Sequence, residues 1–171
     1  LGEDKILGTD DFRGDCKVLV APADWVEAAT CLRDDGGLSM LVTMTGADRG
    51  VDAEPRFEVL GIFLDPETGE RVHATTAVSE ADPVCPTLTG LFASANWFER
   101  EVYDMFGVTF EGHPDLRRIL MWDDYEHHPL RKEFPVEGVG TTAAPRVAER
   151  HRESLARRTA ATCATAAEEE E

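Results

Sequence analysis

Along the chain the spacing of hydrophobic positions alternates between the period of strands and that of helices. Residues 16–21 (CKVLVA), 38–45 (LSMLVTMT), 56–65 (RFEVLGIFLD) and 71–78 (RVHATTAV) are short apolar and β-branched runs, and each predicts a strand. The turn signal Pro66-Glu-Thr-Gly makes a hairpin of the last two. Trp25, Val26, Ala29 and Leu32 recur at helical spacing between the first two strands. Pro22 opens that helix, and Asp34-Asp-Gly-Gly closes it after about Arg33. A longer helix is expected from about Thr87 to Phe106. There Leu88, Leu91, Phe92, Ala95, Phe98, Val102 and Met105 fall three or four apart and form a stripe toward the sheet. Gly107 follows the last of them as a helix stop. The order β-α-β-β-β-α predicts an α+β fold in two layers. Its sheet has four strands, largely antiparallel or mixed, with two packed helices, and an extended C-terminal ribbon follows.

Outside these elements the periodicity fades. Residues 1–15 are polar and acidic and read as a flexible N-terminal arm, leaving 16–107 as the folded domain. From 108 to 135 the chain has little regular period and is punctuated by Gly112, Pro114, Pro129 and Pro135, which exclude a central strand or one continuous helix. This stretch reads as an extended segment built to wrap a partner. Residues 136–171 are low in complexity, end in four glutamates and read as a disordered tail, with a short helix over Val147–Arg158 as the alternative.

Composition narrows the classes. Thirty-four acidic residues against seventeen basic ones give a net charge of −17, which argues against a nucleic-acid binder and against direct docking to anionic lipid. No apolar run approaches the roughly 18 residues of a membrane span, and no signal peptide is read at Leu1. A cytoplasmic chain that reaches a membrane only through a partner is the expectation. Cys16, Cys31, Cys85 and Cys163 lack C-x-x-C or zinc-finger spacing, and no thiolates cluster for iron–sulfur ligation. The first three are expected to be small buried residues.

The densest chemistry lies in Asn96–Pro135. Glu99, Glu101, Asp104, His113, His127 and His128 have the side chains of a metal or acid–base site, although Glu99 and Glu101 point to different helix faces and no H-E-x-x-H spacing appears. A metal-dependent hydrolase built on His113 is the reading this would support. Gly107, Gly112, Arg117 and Arg118 suggest phosphate, but without any Walker or dinucleotide glycine pattern. The structural reading pairs Arg100 with Asp104 on the helix and Arg117 or Arg118 with Glu99 or Glu101. Asp115, Arg131 and Lys132 then face a partner's charges, with Trp97, Tyr103, Phe110, Trp122, Tyr125 and Phe134 as aromatic anchors.

Glu99-Arg-Glu101, Asp104-Met-Phe-Gly107, His113-Pro-Asp-Leu-Arg117-Arg-Ile-Leu120 and Pro129-Leu-Arg-Lys-Glu-Phe-Pro135 stand at intact spacing. In these the chain closely resembles a family of respiratory complex I, the thirty-kilodalton or C-type subunit of NADH–quinone oxidoreductase. The resemblance spans about Cys16 to Pro135. It implies a non-catalytic subunit of the peripheral arm, at the cytoplasmic face of the cell membrane. Such a subunit packs against the large quinone-site subunit, which builds the quinone pocket with the small iron–sulfur subunit. It implies no cofactor in this chain; NADH, quinone, flavin and iron–sulfur clusters belong to partner subunits of a proton-translocating complex. The interface residues it implies are Glu99, Arg100, Glu101, Asp104, His113, Asp115, Arg117, Arg118, Trp122, Arg131, Lys132 and Phe134. Related complexes fed by a deazaflavin, by ferredoxin or by a hydrogenase share similar subunits and remain the alternative.

Overall fold

The computed structural model describes residues 2, 5–12 and 14–138, with Phe12 as backbone alone. The tail expected from 136 onward lies, after residue 138, outside the described residues. Strands β1 (Ile6–Phe12), β2 (Asp15–Val20), β3 (Met40–Asp48), β4 (Phe57–Leu64) and β5 (Arg71–Val78) form one sheet in the order β1-β2-β5-β4-β3. β2 and β5 run parallel and the other neighbours antiparallel, so the sheet is mixed. Helices α1 (Trp25–Asp34) and α2 (Ala95–Phe106) complete the α+β fold, and β6 (Val84–Pro86) pairs in parallel with β7 (Thr109–Glu111).

The sheet has five strands where four are expected, because residues 6–12, expected as a loose arm, pair with β2. The sequence ILGTDDF is a weak strand by composition. Its ladder is made of backbone groups offered by the edge of β2, and Gly14 at φ +87° turns the chain back. The second helix begins at Ala95 and not near Thr87. Residues 87–94 are turns in which Leu91 and Phe92 donate to the Leu88 carbonyl, while Leu88 N–H and the Thr87 hydroxyl are taken by Glu99. Leu88, Phe92, Ala95, Val102 and Met105 are nevertheless buried, so the apolar stripe survives the shorter helix.

β4 shows the reason for the layering. Phe57, Val59, Gly61 and Phe63 alternate as fully buried positions, and the residues between them stay half-buried. Trp25 of α1 meets Phe63 edge-on at 6.4 Å, and Phe63 meets Phe92 at 5.5 Å. Each such aromatic contributes about 1.5–3 kcal/mol by leaving water. Gly46 in β3 lets α2 come close, since a Cβ there would sit 2.6 Å from Phe106. Cys85 is buried as expected. Cys16 is exposed at the entry of β2, and Cys31 is half-buried on α1 with its Sγ 3.1 Å from the Asp35 carboxylate.

Candidate partner interface after the second helix

α2 ends at Gly107 in the left-handed conformation, φ +78°, with its N–H donating to the Tyr103 carbonyl. A side chain at 107 would also strike Arg131 and His128, about 2.5 Å and 2.6 Å away. The last carbonyls of a helix need donors, and here the following chain supplies them. Arg118 Nη1 and His128 Nδ1 donate to the Asp104 carbonyl at 3.2 and 3.0 Å, Leu130 N–H to Met105 at 3.1 Å, and Arg131 Nε to Phe106 at 2.6 Å. Arg118 and Arg131 also place positive charge at the negative end of the helix.

The Asp104 side chain anchors the same chain. Its Oδ1 accepts from Arg118 at 2.6 Å, and its Oδ2 accepts three backbone N–H groups, from Ile119, Leu120 and Met121, at 3.1, 2.7 and 2.8 Å. Burial pushes this carboxyl up, yet the backbone donors and Arg118 outweigh burial and hold it below its ordinary value. Arg100 does not pair with Asp104. It donates to the carbonyls of Arg117 and Arg118 and lies over Trp97 at 5.2 Å. Arg117 pairs with Asp115 in solvent at 2.9 Å and meets neither Glu99 nor Glu101. Both expected pairings fail because the turn at 117–121 wraps the helix end rather than its flank.

Glu99 and Glu101 do separate. Glu101 is exposed. Glu99 is fully buried and accepts from Thr87 Oγ1 and Leu88 N–H, both at 2.6 Å. Burial outweighs these donors and pushes its carboxyl up to about 7. It also acts with burial to push the Cys85 thiol up. His113 sits 4.0 Å from Glu99, its Nε2 donating to the Asn96 carbonyl and its Nδ1 accepting the Asp115 N–H. Both ring nitrogens are thereby engaged. Glu99, Arg100, Asp104 and His113 are internal, so the surface role expected of them gives way to an internal one. Among the described residues no group of three His, Cys, Asp or Glu is placed to hold a metal ion.

A second anchor escapes the sequence reading. Arg56 is buried, and its Nε and Nη2 grip both oxygens of buried Asp48 at 3.0 and 2.8 Å. Its remaining donors reach Glu80 at 2.5 Å and Glu133. The Lys132 N–H donates to Asp48 at 2.8 Å, while the Lys132 side chain points to solvent. The Arg56 hydrogen bonds hold Asp48 well below the usual carboxylate range. The one signal in the sequence is a lone arginine heading the apolar run RFEVLGIFLD. Between the two anchors Trp122, Tyr125 and Phe134 pack on one another, with Tyr125 ring distances of 4.7 Å to Trp122 and 6.5 Å to Phe134. What this leaves facing outward is Trp97, Leu120 and Leu130, at 60%, 62% and 54% exposure.

The model of the family described as "Respiratory-chain NADH dehydrogenase, 30 Kd subunit" matches residues 18–139. The chain belongs to this family. It is 46% identical over 135 residues to the C-type subunit of the NADH-quinone oxidoreductase of Roseiflexus sp. (strain RS-1), covering 78% of this chain and 77% of that one. A fused C/D-type subunit of the oxidoreductase of Sulfurihydrogenibium sp. (strain YO3AOP1) is 39% identical over 139 residues, 80% of this chain but 24% of that longer polypeptide. The solved trypsin-resistant fragment (1-134) of Nqo5 superposes with a TM-score of 0.59 at 35% identity, covering 64% of this chain and 89% of the fragment. As a 30 kDa family member the chain counts among the subunits of NADH–quinone oxidoreductase, a membrane-associated respiratory complex. Among its described residues no helix is long and apolar enough to cross a membrane.

Proposed function

We propose that this protein is a non-catalytic member of the peripheral arm. It packs against the large quinone-site subunit, and through that contact supports assembly and the delivery of electrons to quinone. NADH, flavin, iron–sulfur clusters and quinone are handled by the partner subunits of the translocating complex. One observation carries this reading. The signature carboxylates and arginines are spent on internal bonds that fix residues 108–134, and the fixed chain holds Leu120 and Leu130 outward beside their anchors at Asp104 and Met105. Locked apolar side chains in the open suit the centre of a protein interface. The C/D-type relative, in which the matching region occupies a quarter of a longer chain, supports a D-type partner. The test is the double substitution Leu120→Glu with Leu130→Glu, which keeps every backbone anchor. The full-length chain is expected to fold with an unchanged melting curve, while recovery of the complex from membranes and NADH–quinone activity fall together. Normal complex recovery would sink the reading.

A further inference from the structure

Both helices lie on one face of the sheet, and the opposite face has no covering element among the described residues. That face does not read as a solvated one. Antiparallel sheets with one wet face alternate apolar and polar residues, whereas strands covered on both sides read as nearly continuous apolar runs. β4 is FEVLGIFL: behind its buried row stand Glu58, Leu60, Ile62 and Leu64, all half-buried. In register with Leu60 are Thr45 of β3 and Thr75 of β5, and Leu19 of β2 stands opposite Thr75. These residues floor a trough of about 790 Å³ that crosses all five strands.

Charge singles out the same face. The whole chain carries −17, yet the trough floor carries no carboxylate and the rim charges are matched. Arg49 lies 3.3 Å from Glu58, His73 lies 4.0 Å from Asp15, and Lys17 stands opposite Asp10 in the β1–β2 register. Depletion of charge at the centre with charge at the rim is the pattern of an interface.

We propose that this uncovered face is a docking trough for an amphipathic helix of a neighbouring subunit, which would give the sheet a third layer. The floor is made of small and β-branched residues flanked by leucines, as on the inner face that already seats α1 and α2. A helix about 10–12 Å across suits such a surface. A second copy of this chain is disfavoured, since it would bring −17 against −17. The inference rests on the assembly reading above but uses the face opposite α2 rather than the segment after it.

The experiment places a thiol at Thr45→Cys or Ala47→Cys, two exposed positions on that face of β3. Modification by a maleimide is followed by peptide mass mapping in the full-length chain alone and in the purified complex. Protection of about tenfold or more in the complex is expected, the change that roughly 1.4 kcal/mol of occlusion produces. A benzophenone maleimide at Ala47→Cys should then capture a peptide of another subunit with apolar residues three and four apart. Equal labelling in a recovered complex, or capture of a second copy of this chain, overturns the trough and leaves the assembly reading standing. Failure to recover any complex with the unsubstituted chain overturns both.

Discussion

Two regions of this protein are held by different physics. The sheet and its helices are held by apolar burial, in which Phe57, Val59 and Phe63 meet Trp25, Phe92 and Val102 and no single polar bond decides the outcome. The chain after α2 has few buried apolar side chains, chiefly Val108, Phe110 and Tyr125. It is held at its two ends by buried carboxylates, Asp104 and Asp48, that accept its backbone N–H groups. The first kind of adhesion degrades gradually when one side chain is trimmed. The second fails at once when a carboxylate is lost, because buried donors are then left without acceptors.

The largest expected effect comes from breaking the second kind alone. Asp104→Ala strands Arg118 and three backbone N–H groups, and losing one member of a buried pair costs about 3–5 kcal/mol. Denaturant titration should report that loss, and hydrogen exchange should show residues 117–134 opening while β4 and β5 stay protected. Uniform loss of protection across the sheet would mean that the two regions are not separately held.

How far each region can be read from sequence follows from the same contrast. Apolar burial writes itself as period, so β4, β5, the hairpin between them and the stripe on α2 are all legible. Carboxylate anchoring does not. Asp104 stands out in the sequence, but three of its four partners are backbone N–H groups, which carry no residue identity. The same holds at Asp48, where Lys132 contributes its backbone and not the ammonium group that draws the eye. β1 is illegible for a related reason, since its ladder to β2 is backbone alone. The helix start expected at Thr87 is the opposite error. A legible stripe implies continuous helix there, although Glu99 takes the donors that a first turn would present.

An intermediate effect tests the polar bonds inside the apolar core. The Glu99 carboxyl is raised by burial from 4.5 to about 7, so the fold favours its protonated form. The resulting stability is fully present below about pH 4.5 and is lost as pH rises through 7. The loss from pH 5 to pH 8 is on the order of 2–3 kcal/mol at 1.4 kcal/mol per unit. Glu99→Gln should remove that slope while keeping the bonds to Thr87 and Leu88. Urea midpoints at pH 5, 7 and 8 check it, and the same slope in the variant would assign the pH dependence to another group.

The smallest effect sharpens the contrast most, because it compares neighbours. Arg117 and Arg118 look alike in sequence. The Arg118 side chain is 10% exposed and lies 2.6 Å from Asp104, whereas the Arg117 side chain is 67% exposed and pairs with a half-exposed Asp115. An exposed pair is worth about 0–1 kcal/mol. The bond that the wrap does need at 117 is its carbonyl, which accepts Arg100 Nε at 3.1 Å and is untouched by side-chain replacement. Arg117→Ala should therefore leave the denaturant midpoint nearly unchanged, and Arg118→Ala should lower stability by about 1.5–3 kcal/mol, the worth of a hydrogen bond to a charged group. Equal effects at the two positions would mean that charge density around the helix end, and not the seating of one guanidinium on Asp104, holds the chain after α2 in place.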